Sequence, residues 1–148
     1  MSRTANLRRQ HDAAEELVGE ISAVLDCDRP SETEAYALGL KLAKLTGLLR
    51  IHFAQEDRML YPQMVNSTHT DAQQTAALFQ CEMGDLGPVY LAFADRWVSG
   101  RAIAAGFAAF RHEATGVFAA LADRIHRENT VLYPLADAIG PEHQKRVA

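Results

Sequence analysis

Apolar residues recur at intervals of three and four along almost the whole 148-residue chain, and the strict alternation of a half-buried strand is absent. A period near 3.6 gives each helix one apolar stripe that its neighbours have to cover. The chain is thereby confined to packed helices. Glycines and prolines divide it into four segments, the first from about Thr4 to Asp26, the third from about Asp71 to Val98 and the fourth from about Ala102 to Ile139. The second opens at Ser31, where Glu34 completes a capping box after the Asp26 to Pro30 loop. Four amphipathic helices joined by short connections predict an all-α, up-down-up-down four-helix bundle over residues 1–148.

The stripes are not purely apolar. The first helix presents Leu7, His11, Ala14, Val18, Ile21 and Leu25, and the second presents Ala35, Leu38, Leu42, Leu45, Leu49, His52, Glu56 and Met59. The third, kinked or broken by Gly84, Gly87 and Pro88, presents Phe79, Glu82, Leu86, Val89, Phe93 and Trp97. The fourth reads Ile103, Phe107, Phe110, Ala114, Val117, Leu121, Arg124, Glu128, Val131 and Leu135. Every helix thus carries ionisable side chains on the face it must bury.

An internal repeat places these groups together. The run from His52 through Glu56 to Leu60-Tyr61-Pro62 stands 72 residues before the run from Arg124 through Glu128 to Leu132-Tyr133-Pro134, with Asp57 opposite Asn129. The first and third helices align at an offset of 71, which sets Leu7 over Leu78 and His11 over Glu82. Two related hairpins packed about a pseudo-twofold axis would bring positions 11, 52, 56, 82, 124 and 128 to one level of the core. Tyr61 and Tyr133 fall off this row and are expected to pack at the bundle end. Pro62 and Pro134 are expected to kink or end their helices.

Burying an ionised carboxylate in an apolar interior is costly, more so when like charges share the space. With neutral histidines, Glu56, Glu82, Glu128 and Arg124 sum to a charge of −2, which one divalent cation cancels. Imidazole and carboxylate donors from facing helices suit iron, manganese or zinc, and the spacing of four between His52 and Glu56 stacks them on one face.

The HxxxE followed by LYP at residues 52–62, the upstream His11 and the second ExxxLYP at residues 128–134 resemble the hemerythrin-like HHE cation-binding domain family, over nearly the whole chain. The resemblance implies a four-helix bundle around a non-haem, often di-iron, centre that carries or senses oxygen, handles nitric oxide or peroxide, or serves iron metabolism. It assigns His11, His52, Glu56 and Glu128 as ligands, the two glutamates as bridging carboxylates. Two departures fall on one half-site: Glu82 where the family has a third-helix histidine, and Arg124 in place of a fourth-helix histidine. Arginine keeps its proton and has no lone pair to donate, so Arg124 is no ligand. The expectation is a buried Arg124–Glu82 pair in place of the second cation. A single metal would then be held by His11, His52, Glu56 and Glu128, together with Glu15 one turn after His11. In a dinuclear alternative Glu82 is itself a ligand and Arg124 turns to solvent.

The net charge of −4, with basic residues clustered only at Arg3, Arg8, Arg9 and Lys145, Arg146, argues against nucleic acid. Two cysteines without CxxC spacing, no apolar window of membrane-spanning length and no signal-peptide pattern predict a reduced, cytoplasmic protein that does not engage membranes. Cys81 is expected to be a buried thiol, and His69, His112, His126 and His143 surface residues. No nucleophile-and-base pair or phosphate-binding loop supports a hydrolase or kinase. The leading function is therefore non-enzymatic: a metal-binding protein, with one or two iron ions, that binds or senses a small diatomic ligand or handles iron, as a monomer or weak homodimer. One alternative is a di-iron or di-manganese carboxylate oxidase or peroxide-consuming enzyme, drawing on Glu82 and Glu15. Another is a metal-free helical interaction module.

Overall fold

The computed structural model describes residues 2–139 and folds them into four rods that run up and down, with no strand among the described residues. The first rod is α1 (Ala5–Leu25). The second is α2 (Glu32–Gln55), a π-helical turn at Glu56–Leu60, and α3 (Tyr61–Val65). The third is α4 (Thr70–Met83) and α5 (Leu86–Arg96). The fourth is α6 (Gly100–Ala105), α7 (Phe107–Arg127), a second π turn at Glu128–Leu132, and α8 (Tyr133–Ile139). α1 and α5 each pack on both α2 and α7, which closes the bundle. The Ser31 and Glu34 capping box forms as the sequence predicts. Where the third rod turns into the fourth, the backbone crosses α2 closely. A Cβ on Gly39 would lie 2.9 Å from the Gly100 nitrogen, and one on Gly100 2.8 Å from the Ala35 carbonyl oxygen, so neither position accepts a side chain without movement.

The prolines do not end their rods. Pro62 and Pro134 have no N–H, and each ring would strike the carbonyl four residues back in a regular helix. Both rods widen by one residue just before the proline: the Tyr61 N–H bonds to the Glu56 carbonyl and the Tyr133 N–H to the Glu128 carbonyl. This extra residue advances the buried stripe by one position. Leu60 and Leu132 are buried in place of Met59 and Val131, which are exposed. Tyr61 and Tyr133 turn inward with them.

Smaller shifts affect the other stripes. α1 buries Leu17 where Val18 was expected, and Phe118 takes the place of Val117. In the third rod Met83 and Tyr90 replace Glu82 and Val89, so the stripe runs Phe79, Met83, Leu86, Tyr90, Phe93 and Trp97. Cys81, expected to be buried, is exposed. His69, His112 and His126 are exposed as expected, while His143, Lys145 and Arg146 lie outside the described residues. No described helix is long and apolar enough to cross a membrane.

The core has two apolar compartments. One holds residues such as Ile21, Leu45, Phe93, Phe110 and Leu121, and the other holds Leu7, Leu60, Met64, Ala76, Phe79, Leu132 and Ile139. Along every rod the boundary between them falls at one level: His11 between Leu7 and Ala14, Glu56 between Phe53 and Leu60, the Gly84–Asp85 break between Met83 and Leu86, and Glu128 between Ile125 and Leu132. A polar layer crosses the bundle there.

Candidate metal centre

Four donors meet in this layer. His11 Nε2 lies 3.1 Å from Glu128 Oε1, and His52 Nε2 lies 3.0 Å from Glu56 Oε1. One ligand atom from each of the four residues falls within 4.8 Å of all the others, and no member is more than 2 % exposed. The glutamates come from the two π turns, and His52 sits one helical turn before its glutamate. Adjacent ligands bonded at about 2.1 Å to one ion and set at right angles are about 3 Å apart, so the two imidazole–carboxylate distances match an ion's coordination edges.

The far side of each imidazole fixes which nitrogen faces the cluster. His52 Nδ1 donates to Gln10 Oε1 at 2.6 Å, an assignment consistent with Gln10 Nε2 donating to Gln55 Oε1 at 2.9 Å. His11 Nδ1 likewise donates to Asn129 Oδ1 at 2.7 Å. With both Nδ1 atoms carrying hydrogen, Nε2 is the atom of each ring that faces a carboxylate oxygen, and it offers a lone pair whenever the ring is neutral. Two electron-rich atoms at 3 Å require a positive centre between them, either a proton or a cation. The ionisation behaviour reflects this. Burial, the charge of His11 and that of Arg124 push His52 down to about 3, which keeps its lone pair free. For His11, burial disfavours the charged form, but hydrogen bonds to Glu128 and Asn129 and the nearby carboxylate charges outweigh it and raise the pKa. Burial and the proximity of Glu56 raise Glu128.

Arg124 binds the same two carboxylates, meeting Glu128 at the oxygen turned away from His11 and Glu56 at the oxygen that His52 also faces. Its Nε donates to Glu128 Oε2 at 2.9 Å and its Nη2 to Glu56 Oε1 at 3.1 Å, so the guanidinium bridges them. Nη2 also reaches Asp57 Oδ1 at 2.8 Å, and Nη1 reaches the carbonyl of Met83, the last residue of α4, at 3.3 Å. The guanidinium lies 4.9 Å from the Phe53 ring centroid and 5.5 Å from that of Tyr61. Burial alone would lower its pKa, but Glu128, Glu56 and Asp57 drive it upward, so Arg124 remains a cation. The tyrosines cross over between repeats: Tyr61 donates to Glu128 Oε2 at 2.7 Å, and Tyr133 donates to Glu56 Oε2.

These contacts correct the expected pairing. Arg124 pairs with Glu56, Glu128 and Asp57, whereas Glu82 points outward to Arg127 Nη2 at 2.7 Å with its side chain 43 % exposed. Glu82 is not among the clustered donors because the apolar Met83 takes the buried stripe of α4. Glu15 is also exposed: α1 buries positions 11, 14, 17 and 21, a path that leaves residue 15 on the outer edge. The first and third rods therefore match at the same offset of 72 as the second and fourth, which pairs Leu7 with Phe79, His11 with Met83 and Leu25 with Trp97, all buried. At this offset Gln10 and Gln55 correspond to Glu82 and Arg127, and each pair is bonded. The charge of −2 survives with one substitution, Asp57 replacing Glu82 beside Glu56, Glu128 and Arg124.

Sequence reasoning missed Gln10, Asp57, Asn129, Tyr61 and Tyr133 as members of the layer. Asp57, Asn129 and the tyrosines stand in the repeat, but their direction depends on the π turns. The donor set, two imidazole nitrogens and two carboxylate oxygens with backed imidazoles and burial from water, fits a first-row transition ion such as iron, manganese or zinc. No curated protein and no solved structure matches the chain. The family model for the hemerythrin HHE cation binding domain matches residues 2–136. By that match over nearly its whole length, the chain belongs to the hemerythrin HHE cation-binding domain family.

Proposed function

We propose that the chain holds a single metal ion, iron, through His11, His52, Glu56 and Glu128, and that it binds or senses a small diatomic molecule or handles iron without turning over a substrate. The observation that carries this reading is the set of four buried donor atoms within 4.8 Å of one another, with both imidazoles bonded through Nδ1 so that Nε2 faces the carboxylates. Arg124 supports one ion over two, because a guanidinium that already bridges both carboxylates repels a second cation and supplies no lone pair. Bound iron would supply open coordination positions for a diatomic ligand, since four protein donors leave five- or six-coordinate iron unsaturated. The protein's own part is to neutralise the carboxylates, orient the imidazoles and keep bulk water from four donors that are almost fully buried. The oxidase alternative drew on Glu82 and Glu15, and both stand outside the cluster.

One observation favours a second reading. Arg124 already neutralises part of the cluster, and a proton between His11 and Glu128 would bring the layer from −2 to −1 without metal. Elemental analysis after reconstitution with ferrous iron, with an absorption spectrum in air, separates the two. One iron per chain without the bands of an oxo-bridged pair is expected. Two per chain would reject the single-ion reading, and no bound metal with a melting temperature indifferent to chelator would favour the metal-free module.

A further inference from the structure

We propose that Gln10 and Asn129 are positioning residues that match the centre to a divalent ion: neutral acceptors that aim both imidazoles without adding charge. This inference rests on the metal-binding reading above. It comes from a contrast between the repeats. At the offset of 72, the counterparts of Gln10 and Asn129 are two acids, Glu82 and Asp57. Where the layer contains a guanidinium, the flanking position is acidic, and Asp57 pairs with Arg124 at 2.8 Å. Where it contains imidazoles, the flanking positions are amides, at 2.6 Å from His52 Nδ1 and 2.7 Å from His11 Nδ1. The remaining Gln10 bond follows the same rule: an amide–amide contact with Gln55 stands where the other half has the Glu82–Arg127 ion pair.

The chemistry gives this pattern a consequence. A carboxylate behind a ligating imidazole makes it a stronger electron donor and adds one negative charge near the ion. The fixed charges of Glu56, Glu128, Asp57 and Arg124 already sum to −2, which a divalent ion cancels. An acid at position 10 or 129 would leave the loaded layer negative and favour a trivalent ion. The amides keep the orienting hydrogen bond and omit that charge.

The test uses Gln10→Ala, Asn129→Ala and the near-isosteric Gln10→Glu in the full chain, with Co(II) binding and the reduction potential of bound iron as readouts. The alanine variants are expected to bind Co(II) about 10- to 100-fold more weakly than the unaltered chain. Gln10→Glu is expected to bind Co(II) more tightly than Gln10→Ala and to shift the iron couple to a more negative potential, ~59 mV for each tenfold gain in ferric over ferrous preference. Equal Co(II) affinity in all four proteins, or an unchanged potential in Gln10→Glu, would overturn the inference and leave the metal reading standing. An unaltered chain that bound neither Co(II) nor iron would remove the metal reading and this inference with it. Should an alanine variant fail to fold, the potential of Gln10→Glu still decides the matter.

Discussion

One half of the polar layer sets His11 and His52 against the Glu56 and Glu128 carboxylates, and in the other half the matched positions hold Met83 and Arg124. The backbone around the two sides is nearly the same, down to π turns at residues 56–60 and 128–132 and tyrosines that cross over to the opposite carboxylate. One side offers lone pairs to a cation from solution; the other carries its cation on the chain. The contrast teaches that a bundle can hold a carboxylate pair in its core with imidazoles on one half only, provided that a permanent charge stands on the other. Arginine suits that role because it stays protonated and its planar fork spans two carboxylates.

The largest effect should come from removing the tethered cation. Arg124→Leu leaves Glu56 and Glu128 buried without their shared partner, a loss of about 3–5 kcal/mol for a broken buried pair. At a few degrees per kcal/mol, the melting temperature of the metal-free protein should fall by about 10 °C. Urea denaturation would measure it, and a loss below about 1 kcal/mol would mean that the two sides are not equivalent in charge. The same comparison predicts that Met83→His with Arg124→His, which restores imidazoles on both sides, raises bound metal from one ion per chain to two.

Acid sensitivity should also divide between the sides. His52 falls from an ordinary 6.5 to about 3, so between those values the unfolded chain binds a proton that the folded chain refuses. Metal-free stability then drops as pH falls through that window, by up to about 1.4 kcal/mol per unit. His11 and Glu128 shift the other way, so their contribution is present below their ordinary values and is lost as pH rises through the raised ones. The guanidinium side does not titrate in this range. Glu128 opposes His52 on the acid side, so unfolding free energies between about pH 4 and 8 should give a shallow acid limb and a maximum near neutrality. His52→Asn should flatten the acid limb and His11→Asn the alkaline limb. A profile unaltered by either substitution would place the titration elsewhere.

The tyrosines test the crossover at smaller amplitude. Glu128 Oε2 accepts from both Tyr61 and Arg124, whereas Glu56 Oε2 has Tyr133 as its hydrogen-bond donor. Losing a donor matters more where no other remains, so Tyr133→Phe should cost about 2 kcal/mol and Tyr61→Phe about 1 kcal/mol. Thermal unfolding of the two variants in parallel reads the difference. The reverse order would mean that the carboxylates divide their partners differently.

The rods and the central donors were legible because both follow from a period near 3.6, and His11, His52, Glu56, Arg124 and Glu128 all lie where that period puts them. The period fails where the backbone departs from it. One extra residue in each π turn buried Leu60 and Leu132 instead of Met59 and Val131 and aimed the tyrosines inward, although the Pro62 and Pro134 signals were in view. On the third rod, Glu82 and Met83 both satisfy three-and-four spacing, and only packing chooses between them. The apolar side chain took the core, and the acid found Arg127 at the surface. Gln10 and Asn129 gave no signal of their own, because an amide beside a histidine is ordinary until the fold shows which nitrogen it backs.

That choice between Glu82 and Met83 yields the smallest expected effect and the sharpest check on the alignment of the halves. Glu82 shares an ion pair with Arg127 in which both side chains reach solvent, a type of pair that contributes about 0–1 kcal/mol. Glu15 lies exposed on α1. Glu82→Ala and Glu15→Ala should therefore each change stability by about 0.5 kcal/mol or less and leave iron per chain unchanged. Met83→Glu, by contrast, puts an acid at the position matched to His11, where it would compete with Glu56, Glu128 and Asp57 for Arg124. If Glu82→Ala released metal while Met83→Glu did nothing, the correspondence would revert to an offset of 71 and the second half-site would have to be drawn around Glu82.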